Sequence, residues 1–213
     1  MLKKAVPLLF LGIGVFLLVQ IILPLISFKI WEISVTNQNS PLISPNSENQ
    51  NVAGVSIQNH ENFPALVSTN TRTSPTPYSE FNLSIPSLKL ERLKAKVDTN
   101  NFEQNLAHLP GSALPGEKGN VFITGHSSLP QLFSTSNFKA IFANLPNIKK
   151  GDQIIIDAGG QKFEYIVDGL KIVNPKEIWV INPPDNQGRY LSLMTCVPPG
   201  LYLKRLVVIS HLK

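Results

Sequence analysis

QIIIDAGGQKFEYIV, residues 153–167, is the stretch of sequence that decides the fold. Its two halves, Gln153 to Asp157 and Lys162 to Val167, are short apolar runs of the kind that form strands. Gly159-Gly160 lies between them, and two glycines can adopt the positive φ angles that a tight hairpin turn requires. The stretch therefore predicts two antiparallel strands joined by a short turn.

Similar short runs follow and precede this hairpin. Predicted strands lie at Phe81 to Ile85, Leu88 to Val97, Asn120 to Thr124, Tyr190 to Thr195 and Leu203 to His211. One segment differs, because 137–145 places its apolar residues at helical spacing. Many short strands, turn residues between them and a single helical segment predict a mostly antiparallel β-barrel or sandwich.

The N-terminus predicts a membrane anchor. Residues 5–28 carry no charge, and a helix of that length spans the roughly 30 Å hydrocarbon layer of a bilayer. A cleaved signal peptide is the alternative, but it has a shorter apolar region and a small-residue cleavage site, which this segment lacks. We expect residues 1–35 to form an uncleaved single-pass anchor. Lys3 and Lys4 favour a cytoplasmic N-terminus, with the rest of the chain outside the cell.

Two further regions follow the anchor. Residues 36–79 are rich in Asn, Ser, Thr and Pro, and such segments bury too little apolar surface to offset the entropy of ordering. We therefore expect a flexible stalk there, with a short ordered patch at 52–57. The globular domain is predicted to occupy residues 80–213.

Composition excludes several classes of function. The net charge is +5 and charged residues make up only 15% of the chain. The basic residues are dispersed and have no interleaved aromatic side chains, so nucleic-acid binding is not expected. Asp157, Glu164 and Asp168 flank a hairpin but do not form a recognisable Ca²⁺ loop. No metal ion or cofactor is predicted.

Three residues at strand ends could carry chemistry together. Cys196, the single cysteine, ends one strand, His126 ends another, and Arg205 lies in the last. An imidazole favours the thiolate of a nearby cysteine, and a guanidinium can stabilise the oxyanion formed when that thiolate attacks a carbonyl. Taken separately, each residue also has an ordinary structural role, as a core cysteine, a turn histidine and a surface arginine.

The residues around this group resemble the sortase family. LSLMTC (191–196) is similar to the family signature T-L-x-T-C, with Ser192 in place of the first threonine. Further similarity lies in VPPG (197–200), KRLVV (204–208), GNVFITGH (119–126) and LPGSALPG (109–116). The resemblance covers residues 80–213, and the stretch 127–137 after the histidine looks like an insertion.

The resemblance implies an eight-stranded β-barrel with one or two short helices. In it, Cys196 would be the nucleophile, His126 the general acid and base, and Arg205 the residue that positions substrate and oxyanion. Thr195 would shape the substrate pocket. His108 could line the pocket rim, with a structural hydrogen-bonding role as the alternative.

The resemblance also implies the reaction and its partners. The family cleaves an LPxTG-like sorting signal on exported proteins after the threonine, holds the acyl group as a thioester and transfers it to an amine. That amine is a cell-wall peptide or a pilin lysine. Two alternatives remain open: a thiol peptidase that uses water as acceptor, and a non-catalytic β-domain displayed at the cell surface.

Overall fold

The structure is a computed structural model that describes residues 2–38, 53–60, 63–134 and 136–213. Its strands are β1 (Val55–His60), β2 (Phe63–Ser68), β3 (Glu80–Ile85), β4 (Leu90–Lys96), β5 (Leu106–His108), β6 (Gly119–Thr124), β7 (Gln153–Ala158), β8 (Gln161–Val173), β9 (Arg189–Val197) and β10 (Lys204–Leu212). One α-helix, α1, covers Leu2–Gln38. Short 3₁₀ helices occupy Pro86–Leu88, Pro130–Leu132, Phe138–Ala140, Leu145–Asn147 and Ile178–Ile181.

Helix α1 forms a compact unit of its own. A 28-residue part of it, Leu9–Thr36, is long and apolar enough to cross a membrane, and none of the most apolar stretch is buried inside the protein. Pro24, a residue that often ends or kinks helices, does not end this one. The helix continues past residue 35, where the sequence analysis placed the end of the anchor.

Eight strands close into a barrel in the order β10-β8-β7-β3-β4-β5-β6-β9. This confirms the predicted barrel, although two of its strand pairings, β4 with β5 and β6 with β9, are parallel. The hairpin at 153–167 forms as predicted, with Ala158 paired to Gln161 across the glycine turn. In β7 buried and less buried side chains alternate, because its buried isoleucines face the barrel core.

The segment 137–145 is less helical than its pattern predicted. It forms one 3₁₀ turn at Phe138–Ala140, and a second begins at Leu145. Asn137 caps the first by accepting a hydrogen bond from the backbone N–H of Lys139, and Pro146 lies in the first turn of the second. Ile141, Phe142 and Leu145 are buried and Phe138 is partly buried, so the pattern indicated most of the packing correctly and the element wrongly.

A second, two-stranded sheet was not predicted. Strands β1 and β2 pair as an antiparallel hairpin within the region assigned to a flexible stalk. Leu66 of β2 is buried in an apolar cluster on the barrel surface, with Val55 and Ile57 packed against it. The stalk prediction is therefore wrong for this hairpin, because its few apolar residues pack on a preformed face. Residues 69–79 of the same region are described and contain no helix or strand, and the parts at 39–52 and 61–62 lie outside the described residues.

Candidate active site

The parallel pairing of β6 with β9 brings His126 level with Cys196. Thr124 is the register partner of Met194, and the backbone N–H of Gly125 donates to the carbonyl of Met194 at 3.2 Å, so the ladder continues past β6. His126 lies two residues beyond Thr124, and Cys196 two beyond Met194. Neighbouring strands are about 4.8 Å apart, so the two residues lie side by side at the same end of the barrel.

The antiparallel pairing of β9 with β10 places Arg205 on the other side of the cysteine. Arg205 and Cys196 are direct register partners, as are Val207 and Met194 two residues along. Because strand side chains alternate between faces with period two, all four lie on one face. Met194 and Val207 belong to the apolar cluster on the barrel surface, so this face is the outer one.

Thr195 faces the opposite way and holds the histidine loop in place. Its Oγ1 donates a 2.8 Å hydrogen bond to the carbonyl of Gly125, the residue before His126. The carbonyl of His126 itself accepts from the backbone N–H of Phe142 at 3.0 Å. A side chain at Gly125 would come within 2.6 Å of the Phe142 ring, so a glycine is required there. These contacts fix the backbone that carries the imidazole.

Cys196, His126, Arg205 and Thr195 line one small cavity. It has a volume of about 20 Å³ and is lined by Ala65, Leu66, Phe102, Thr124, Gly125, His126, Met194, Thr195, Cys196 and Arg205. A single water needs about 10–15 Å³ of such volume, so the cavity is far too small for a peptide. Cys196 is 6% exposed and Arg205 3% exposed. The ring of Phe102 packs on that of His126, with their centroids 4.3 Å apart.

Burial sets the protonation of the thiol in this arrangement. Burial raises the pKa of Cys196 above its ordinary value, and the positive charge of Arg205 offsets only part of that rise. The guanidinium is held by the chain that precedes it: Nη1 donates to the carbonyls of Tyr202 at 3.3 Å and Lys204 at 3.1 Å. A thiol with a raised pKa is mostly protonated near neutral pH, whereas the nucleophile is the thiolate.

The hairpin β1–β2 supplies the cover over the cysteine. Ala65 and Leu66 of β2 are both buried, and Ala65 forms a contact cluster with Phe102, Ala107 and Cys196. The far end of β2 is tied to the barrel through Ser68. Its N–H donates to Oδ1 of Asn100, its carbonyl accepts from Nδ2 of the same residue, both at 3.0 Å, and its hydroxyl donates to the Pro110 carbonyl.

His108 lies apart from this cavity. It is completely buried, with Nε2 2.8 Å from the carbonyl oxygen of Ala113 and Nδ1 3.4 Å from Oδ1 of Asp98. Burial raises the pKa of Asp98, but hydrogen bonds from His108, Arg72 and the Gly111 backbone outweigh it and lower that pKa to about 2. The position fits the structural hydrogen-bonding role and not a place at the pocket rim.

Sequence reasoning missed three residues that line the cavity. Phe102 carries no motif that marks it, and its contact with His126 depends on the tertiary fold. Ala65 and Leu66 lie in a polar region, where the short apolar run of β2, FPALV, was the available signal. The described ranges contain no cluster of three or more His, Cys, Asp or Glu side chains suited to a metal ion.

Comparison with known proteins agrees with the geometry. Residues 83–213, more than half of the chain, match the family described as Sortase domain. The chain belongs to the sortase family. Over 135 residues it is 33% identical to Sortase A of Bacillus anthracis, covering 61% of this chain and 58% of that protein. It is 25% identical to Sortase A of Listeria monocytogenes over 133 residues, 62% of this chain and 55% of that one. The chain thus matches less than two thirds of the length of these curated relatives.

Solved structures of sortases share the fold. Sortase A from Corynebacterium diphtheriae, a lid mutant, superposes with a TM-score of 0.55 at 25% identity, covering 89% of this chain and 91% of that one. Sortase C-1 from Actinomyces oris gives a TM-score of 0.54 at 27% identity over 62% of this chain and 73% of that one. A Clostridium perfringens Sortase D5 transpeptidase is 23% identical, with a TM-score of 0.53 over 63% of this chain and 79% of that one, and shows the fold alone.

Proposed function

We propose that this sortase-family protein is a cysteine transpeptidase that acts on exported proteins bearing an LPxTG-like sorting signal. The observation that carries the proposal is strand register: β6, β9 and β10 set His126, Cys196 and Arg205 side by side around one cavity. A nucleophile, a general acid–base and a cation are the groups that acyl transfer through a thioester requires.

The residues have complementary tasks in the first half of the reaction. The Cys196 thiolate attacks the carbonyl carbon of the threonine in the sorting signal. The negative charge that develops on the carbonyl oxygen is stabilised by the guanidinium of Arg205. His126, as the imidazolium, gives its proton to the leaving amine as the C–N bond breaks. The products are a thioester on Cys196 and a free C-terminal fragment of the substrate.

The second half reverses the proton transfer. An amine acceptor, a cell-wall peptide or a pilin lysine, attacks the thioester carbonyl while neutral His126 accepts its proton. The thiolate of Cys196 leaves, and a new amide bond joins donor and acceptor. Helix α1 anchors the enzyme in the cell membrane, and Lys3 and Lys4 keep the N-terminus cytoplasmic. The catalytic barrel is then extracellular, where exported substrates emerge.

The reaction requires the hairpin β1–β2 to move. A peptide cannot enter a cavity of about 20 Å³, and Leu66 fills the apolar surface next to the cysteine. Since Ser68 ties the C-terminal end of β2 to Asn100, we propose that the hairpin swings about that attachment. Moving it away also rehydrates the thiol, which removes the main cause of the raised pKa of Cys196.

Product analysis tests the activity. The full chain is incubated with an LPxTG-like peptide, with and without an added glycine oligomer, and the products are identified by mass spectrometry. The proposal predicts a ligated product with the amine and none with Cys196→Ala. Exclusive hydrolysis at saturating amine would instead identify a thiol peptidase.

The burial of Cys196 favours one other candidate, a non-catalytic surface domain. In such a domain the cysteine is a packing residue. Its alkylation would be slow and independent of His126, because no imidazole would be promoting the thiolate. Comparing alkylation rates of the native protein and His126→Ala distinguishes the two candidates.

A further inference from the structure

The loops that follow His126 and Cys196 carry an unusual concentration of exposed apolar side chains. Outside α1, the large hydrophobic residues found exposed among the described side chains all lie on these loops, at 125–137 and 198–203, with exposures from 36% to 57%: Leu129, Leu132, Leu201, Tyr202 and Leu203. We call these five residues the loop patch. Isolated exposed leucines are common on proteins, but a cluster of them marks an interaction surface.

The two loops touch, so the patch is continuous. A Cβ placed on Gly200 would lie 3.0 Å from Cδ2 of Leu129, which means that the Gly200 backbone packs directly on that leucine. The 3₁₀ helix Pro130–Leu132 holds Leu132 close to Leu129, with the N–H of Leu132 donating to the Leu129 carbonyl at 2.9 Å. The apolar side chains therefore project from one connected structure.

The two loops contain no acidic residue. The chain has none between Glu117 and Asp152, and none after Asp185. Both loops lie inside these ranges, together with Lys139 and Lys204. The Nζ of Lys204, the residue after Leu203, donates a 2.9 Å hydrogen bond to Oδ1 of Asn174, and the backbone N–H of Asn174 donates to the carboxylate of Glu177, so this lysine has one acidic side chain nearby.

We propose that the loop patch docks onto the surface of an anionic lipid bilayer. Apolar side chains flanked by lysines are the pattern of segments that insert about 5–10 Å into the headgroup boundary and attract anionic lipids.

The chain also carries a candidate membrane-spanning helix. Helix α1 is long and apolar enough to span a bilayer, and 16 residues, 39–54, connect its end to β1. Fully extended, a chain of that length spans about 55 Å, and a tether of this length would let a weak affinity of the patch for lipid suffice.

Docking would orient the site towards the bilayer, and it involves the backbone that holds Arg205. The carbonyls of Tyr202 and Lys204, at the end of the second loop, each accept a hydrogen bond from Nη1 of Arg205. The inference uses the membrane anchoring proposed above but not the transpeptidase chemistry.

Site-specific fluorescence in vesicles tests the docking. In full-length Cys196→Ala protein, Leu201→Cys is labelled with an environment-sensitive fluorophore and reconstituted into phosphatidylcholine–phosphatidylglycerol vesicles that contain a lipid-borne quencher. The matched control carries the label at Gln161→Cys. Gln161 begins β8, whose other end, Val173, pairs with Arg205, so the control lies about 40 Å along the strand from the site.

The proposal predicts strong quenching at position 201 and none at 161. Leu129→Ser/Leu132→Ser should lower the docked-to-undocked ratio about tenfold, because each half-exposed leucine loses its burial in lipid. Vesicles of phosphatidylcholine alone should quench less, since Lys139 and Lys204 then meet no anionic lipid. Equal quenching in neutral vesicles would overturn the anionic preference.

Two further outcomes would overturn the docking itself. The first is equal, weak quenching at positions 201 and 161 in protein that floats with the vesicles. The protein would then be anchored, but the loop patch would not dock on the bilayer. A spectral shift at 201 that grows with the protein-to-lipid ratio, without quenching, would assign the patch to a second copy of the chain. Failure to float with vesicles would refute the anchoring proposal separately.

Discussion

Shortening Leu66 to alanine should open the site, because this side chain holds the hairpin β1–β2 over Cys196. Leu66 is 7% exposed and packs in the apolar cluster that includes Met194 and Val207. Buried Leu→Ala changes cost about 2–5 kcal/mol, and a surface hairpin can relax, so we take the lower end. About 2 kcal/mol corresponds to a roughly 30-fold larger open population.

The assay is the rate at which Cys196 is alkylated near neutral pH, followed by intact mass. The protein has one cysteine, so each added mass reports this site. If the reagent reaches the sulfur only from the open form, Leu66→Ala should be alkylated about 30-fold faster than the native protein. Rehydration also lowers the pKa of the thiol, which increases the alkylation rate further.

Val67→Ala is the matched control. Val67 is the next residue of β2 and is only half-buried, so its truncation removes less packing and should change the rate far less. Circular dichroism must show the barrel intact in both variants. An unchanged alkylation rate in a folded Leu66→Ala protein would refute the view that the hairpin covers the cysteine.

Three further predictions concern residues around the site. Arg205→Gln should raise the pKa of Cys196 further and slow its alkylation near neutral pH, since the guanidinium favours the thiolate. Arg205→Lys keeps the positive charge and should restore the alkylation rate. It should not restore turnover, because the ammonium lacks the planar set of N–H donors of the guanidinium. Thr195→Val leaves the Gly125 carbonyl without its hydrogen-bond donor. The variant should have an unfolding free energy lower by about 1–3 kcal/mol and a reduced kcat, whereas Thr195→Ser should stay close to native in both. Native values of both quantities in Thr195→Val would show that Thr195 does not position the loop. The pKa of Asp98 is lowered to about 2, so its carboxylate should add about 1–2 kcal/mol to the free energy of unfolding. This contribution is present above the unfolded pKa near 4 and is lost as the pH falls towards 2. Urea unfolding of native protein and Asp98→Asn measures it, and a difference in unfolding free energy that stays constant across that pH range would contradict the prediction.

The barrel and its site were predictable where local signals coincide with the final contacts. Strands β7 and β8 are adjacent in sequence and paired in space, so the hairpin at 153–167 could be identified from its turn residues. Cys196, His126 and Arg205 were proposed from their flanking motifs, and the parallel register of β6 with β9 explains how His126 and Cys196, 70 positions apart, come to line one cavity.

The parts that were missed depend on contacts distant in sequence. The hairpin β1–β2 is stabilised by an apolar face that exists only after the barrel has formed, so its own composition indicated a flexible stalk. His108 sits next to residues of the family-like loop, but its environment is set by Asp98 and Ala113. No local pattern specifies the two parallel pairings either, and the pairing of β6 with β9 joins strands that lie far apart in sequence.

The most direct measurement is the mass of the acyl-enzyme. The full chain is mixed with an LPxTG-like peptide without amine, quenched in acid and weighed intact. The account predicts an added mass equal to the fragment ending at the threonine, located on Cys196 and released by hydroxylamine, and much reduced in His126→Ala. Cleavage of the peptide that persists in Cys196→Ala, or turnover with no adduct at that sulfur under any quench, would contradict it.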